Sequence, residues 1–79
     1  MANRDATELR HRAQTALTDS PIHALRQIHV EQHDGALVLS GRVHSFYQKQ
    51  LAQELVRAAA GQVELINSVD VNGDGDVPM

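Results

Sequence analysis

The stretch Ile28-His29-Val30-Glu31-Gln32-His33-Asp34-Gly35-Ala36-Leu37-Val38-Leu39-Ser40-Gly41-Arg42-Val43 decides the architecture of this chain. Ile28, Val30 and Gln32 alternate with His29, Glu31 and His33; Leu37, Leu39, Gly41 and Val43 alternate with Val38, Ser40 and Arg42. Alternation of this kind marks a half-buried strand. Asp34-Gly35, between the two runs, suits a two-residue type I′ turn, in which both central residues need positive φ. Such a turn pairs His33 with Ala36, Val30 with Leu39 and Ile28 with Gly41. Apolar side chains then meet on one face, and Glu31–Val38 and His29–Ser40 share the other. A slip of one residue would spoil both faces at once.

Outward from the hairpin, helices are expected on both sides. Asp5-Ala6-Thr7-Glu8 has the spacing of a capping box. Leu9, Ala13, Ala16 and Leu17 then fall on one helical face, a narrow Ala-containing stripe suited to close packing on a sheet. Asp19-Ser20-Pro21 ends that helix, because proline disfavours a helical residue before it. Ile22 and Leu25 are spaced for a short turn that plugs the edge of the core. After the hairpin, Ser45 is a candidate N-cap for a second helix over residues 46–60, and Gly61 a candidate C-terminal cap. Leu51, Ala52, Leu55, Val56 and Ala59 form its apolar stripe, with Tyr47 one turn before Leu51. Val63 to Val71 reads as a third strand, with Leu65, Val69 and Val71 on one face and Asn67 interrupting them. Gly41 sits inside a strand, where its use would be close approach of a helix to the sheet.

The order helix, strand, strand, helix, strand predicts an α+β fold, a two-layer sandwich with two helices on one face of a three-stranded mixed sheet. The strand–helix–strand unit is expected to cross over right-handedly. Strand order 1-2-3 is favoured over 2-1-3. One domain is expected over residues 5–71, with residues 1–4 disordered and residues 72–79 a flexible acidic tail.

Composition narrows the function classes. A chain of 79 residues holds one small core and little room for an enzyme pocket. Cysteine is absent, so neither disulfides nor thiolate metal sites arise. The net charge is −3, and the acids Glu64, Asp70, Asp74 and Asp76 face no base in residues 61–79. The bases are scattered through residues 1–60, which does not suggest a nucleic-acid partner. No secretory signal or apolar run of membrane-spanning length is readable. The expectation is a cytoplasmic protein, with periplasmic or membrane-peripheral residence if a signal has been removed.

The run Ile28 to Val43, followed by Ser45, resembles the core of the BON domain, a family named for bacterial osmotically inducible and nodulation-related proteins. Gly35, Leu37, Leu39, Ser40, Gly41, Val43 and Ser45 fit its pattern of a glycine turn, alternating apolar residues, Ser/Thr-Gly-x-Val and a small helix-opening residue. Ala52 and Val56 fit its second helix, and Gly61, Leu65, Asn67, Val69 and Val71 its closing strand. Gln62 departs from the apolar residue usual after the last glycine. The resemblance covers residues 9–71. It implies an αββαβ fold and a non-catalytic module that binds phospholipid surfaces or mediates protein contacts in the bacterial envelope.

Candidate chemistry is sparse. His29 and His33 stand about 13 Å apart along one strand, too far for one metal ion held at about 2 Å. Glu31 lies between them, with no third ligand evident, so no metal or other cofactor is expected. Protonation of all five histidines in mild acid would reverse the sign of the formal charge. Asp70-Val71-Asn72-Gly73-Asp74-Gly75 matches the opening of a calcium loop, but the glutamate required later would lie beyond Met79. Ser40, His44 and Ser45 lack the context of a catalytic pair. Two binding surfaces remain. Phe46 and Tyr47, the only aromatics, stand together between Arg42 and Lys49, a pattern suited to a membrane interface or a protein hot spot. The competing expectation is that Tyr47 packs on Leu51 and the first helix. Val38 and Ile66, on the sheet face away from the helices, are the candidates for self-association into a homodimer, through that face or the sheet edge.

Overall fold

The computed structural model describes the backbone of residues 2–71 and the side chains of residues 7–71. The elements run α1 (Ala2–Thr18), α2 (His23–Arg26), β1 (His29–His33), β2 (Ala36–Ser40), β3 (Arg42–Val43), α3 (Phe46–Ala60), β4 (Glu64–Asn67) and β5 (Asp70–Val71). The fold is α+β. β1, β2 and β4 form a three-stranded mixed sheet in the order β1-β2-β4, which is the favoured order of the sequence reading. β1 pairs antiparallel with β2, and β2 pairs parallel with β4.

The hairpin register is the expected one: His33 opposes Ala36, Val30 opposes Leu39 and Glu31 opposes Val38. Asp34 and Gly35 have φ of 51° and 84°, the two positive angles that the type I′ turn demands.

Two expected strands each divide in two. The run from Ala36 to Val43 breaks at Gly41, and the run after Val63 breaks at Ser68–Val69. β3 and β5 therefore form a separate two-stranded parallel ribbon, Arg42 opposite Asp70 and Val43 opposite Val71. The cause is Gly41, whose φ of 138° takes the backbone out of strand geometry. A β-carbon there would lie 3.3 Å from the Ile28 Cα, so the close approach at this glycine is by the residue preceding β1 and not by a helix as expected. Backbone bonds of 2.9 Å from Ser68 N–H to the Leu39 carbonyl and from Asp70 N–H to the Gly41 carbonyl carry the register across the break without a slip.

The start of α1 differs from expectation. The helix begins at Ala2, so residues 2–4 are helical and Asp5 lies inside the first turns instead of capping them. Nothing in Ala2-Asn3-Arg4 is a glycine or proline that would stop helix propagation before Asp5. The expected tail over residues 72–79 lies outside the described residues.

One cluster of buried side chains joins Ala13 and Leu17 of α1, Leu25 of α2, Val30, Leu37 and Leu39 of the sheet, Ala52, Val56 and Ala60 of α3, and Val43 and Val69. Leu9, Ile22, Leu51, Leu55 and Leu65 pack around it. No aromatic side chain takes part, and the core is filled by small and aliphatic residues. α1 adds a polar tie that the periodicity did not disclose. The Gln14 side chain donates to the Ile28 carbonyl and accepts from the Val30 N–H, each at 2.9 Å. It thereby occupies backbone groups on the outer edge of β1, the positions an added strand would use.

Candidate functional site

The start of α3 is built by local sequence. Ser45, extended at φ −154°, caps the helix through its hydroxyl, which accepts from the Gln48 N–H at 3.1 Å. Gln48 returns its side-chain oxygen to the His44 N–H at 2.8 Å. The sequence reading found the cap but missed Gln48; the Ser-x-x-Gln spacing is its signal. The first turn carries no acid, so the positive end of the helix dipole is left uncompensated by a carboxylate there.

On this turn both aromatics of the chain face solvent: Phe46 is 71% exposed and Tyr47 70%. The packing of Tyr47 onto Leu51 and α1 does not occur. Ala13 and Ala52, of α1 and α3, are by contrast fully buried. Lys49 is half-buried and Arg42, on β3, is exposed. Neither makes an ion pair among the described residues.

The four predicted residues are not one pocket. Phe46 and Lys49 share the wall of a shallow groove of about 320 Å³ with Gln50, Gln53, Glu54 and Asn67. Tyr47 and Arg42 lie outside that lining. Asn67 closes the groove floor: its amide donates to the Lys49 carbonyl at 3.0 Å and to Gln53 Oε1 at 3.3 Å, and its oxygen accepts from the Val69 N–H at 3.2 Å. The residue that interrupts the apolar pattern of the last strand is thus the one that ties β4 to α3.

The other predicted surface is the sheet face carrying Val38 and Ile66, which are neighbours in register. Val38 is half-buried and Ile66 is 44% exposed. Beside them Glu31 receives His33 Nε2 at 3.1 Å on one oxygen and His29 Nε2 at 3.4 Å on the other. All three side chains are more than half exposed. Among the described residues no three metal-ligating side chains converge. Gly61 ends α3 at φ 77°, its N–H on the Arg57 carbonyl at 2.9 Å. Ser40, on the Val38 face, is half-buried opposite His29. No helix of the described residues is long and apolar enough to cross a membrane.

Comparison with curated proteins gives no match. A family model described as the BON domain matches residues 5–73, nearly the whole chain. The match spans the hairpin, the Ser40-Gly41 break, the Ser45 cap and the Asn67 tie, and the chain belongs to the BON domain family.

Proposed function

We propose that this BON domain binds anionic phospholipid surfaces through the start of α3, without catalysing a reaction. Membership of the family supports a binding module. The observation that carries the lipid reading is the exposure of Phe46 and Tyr47, adjacent and both about 70% accessible in a chain that has no other aromatic. A small core would gain from taking them in. Their amphipathic reach suits the headgroup boundary, where Arg42, Lys49 and the acid-free helix start attract phosphate. This focusing has to act locally, because the whole chain is net negative.

Co-sedimentation with vesicles of phosphatidylglycerol mixed into phosphatidylcholine tests the reading. Binding should rise with the anionic fraction, fall as salt is added, and drop by about tenfold for Phe46→Ala, as expected from losing most of an aromatic contact area. Equal binding by the wild type and by a Phe46→Ala, Tyr47→Ala double variant would end it. A protein partner is the second reading, favoured by the exposed Ile66 beside Val38.

A further inference from the structure

The two edges of the main sheet are treated differently. At β1, Gln14 occupies the Val30 N–H and the Ile28 carbonyl, while the outward N–H and C=O of Gln32 stay open among the described residues. At β4 the ladder has β2 on one side only. Ser68 and Asp70 donate inward, to Leu39 and Gly41. In a parallel ladder bonding groups alternate, so the N–H and C=O of Leu65 and Asn67 point outward. Among the described residues nothing meets them. The next outward N–H, that of Val69, is already taken by the Asn67 side chain. The open edge is therefore two residues long in bonding terms and carries no proline or lysine to blunt it.

We infer that the occupant of this edge is a second copy of the same strand, laid antiparallel about a two-fold axis through Ile66. In that register Leu65 of each copy opposes Asn67 of the other, and four backbone bonds form. Ile66, 44% exposed, meets Ile66 of the second copy on the helix-free face. Glu64 meets Ser68, so no like charges are opposed. Leu65 of the second copy points towards the α3 layer beside Asn67, where the groove of about 320 Å³ walled by Phe46 and Gln50 lies open. The opposed patch is small, which makes the dimer weak and concentration-dependent.

The test uses the full chain in lipid-free buffer, so its outcome is separate from the lipid reading. Amide NMR spectra and sedimentation are recorded from about 50 µM to about 1 mM, the range for a weak contact. With rising concentration the Leu65 and Asn67 amides should shift downfield and exchange more slowly, and the mass should move towards a dimer. Ser68→Lys, at an exposed site, places lysine opposite Glu64 twice per dimer and should tighten association about threefold or more; Ser68→Glu should weaken it similarly. A monomeric mass at about 1 mM overturns the proposal. So does protection of Leu65 and Asn67 that is independent of concentration, which would mean the edge is covered within one chain. Equal effects of the two Ser68 variants overturn it as well. Shifts centred on Val38 and His29, abolished by Val38→Lys, would identify a face-to-face dimer instead.

Discussion

Gln14 and Val30 are joined at 2.9 Å, side-chain oxygen to backbone N–H, across the contact between α1 and the first strand. With its partner bond to Ile28, this amide takes two of the backbone groups that a neighbour strand would use. Gln14→Ala leaves both groups half-buried without a partner, which costs about 1–3 kcal/mol. Urea unfolding should show the loss, and the Val30 amide should exchange faster than in the wild type. An unchanged midpoint would show that water satisfies these groups as well as Gln14 does.

The glycines separate by the space around them. Gly41→Ala meets Ile28 Cα at 3.3 Å as well as an unfavourable φ of 138°, and the two together should cost about 3 kcal/mol. Gly35→Ala meets nothing within 4 Å, so only the left-handed backbone is penalised, by about 1–2 kcal/mol. Thermal unfolding of the pair should rank Gly41→Ala as the more damaging. The reverse ranking would mean that the break between β2 and β3 tolerates a side chain.

Asn67→Ala removes three hydrogen bonds, two to α3 and one to Val69. A loss of about 1.5–3 kcal/mol is expected. Because these bonds join β4 to the first turns of α3, chemical-shift changes should spread to Lys49 and Gln53 and leave the β1–β2 turn untouched. Changes of equal size at Asp34 and Gly35 would contradict that locality.

Phe46→Ala and Tyr47→Ala should leave stability within about 0.5 kcal/mol of wild type, as exposed substitutions do. Leu39→Ala, fully buried, should cost about 2–5 kcal/mol. Chemical denaturation of the three variants reads this contrast. A destabilised Phe46→Ala would show that the aromatic supports the fold, and would weaken its claim to a binding role.

The hairpin was legible because its information is local. Alternation sets the buried face, Asp34-Gly35 sets the turn, and together they leave one register that keeps apolar residues on one side. The α3 boundaries were legible for the same reason, from Ser45 and Gly61. The start of α1 was misread because a capping-box spacing also occurs inside a helix that nothing upstream stops. The division of the two long strands was invisible in their apolar pattern, since Gly41 and Ser68 interrupt backbone geometry without disturbing which side chains face inward. For the candidate site, the sequence placed Phe46 and Tyr47 at one helix start but left open whether the core would take them.

What the sequence by itself determined is the order of elements, the hairpin register and the boundaries of α3. Each follows from residue type and short-range spacing. The tertiary structure alone decided that Tyr47 stays outside, that Gln14 ties α1 to the start of the first strand's outer edge and that Asn67 pins β4 while leaving its outer backbone open. The reason is distance along the chain. Gln14 lies on the first helix and Asn67 on the last long strand, and their partners are chosen only when α1 and α3 come to rest against the sheet.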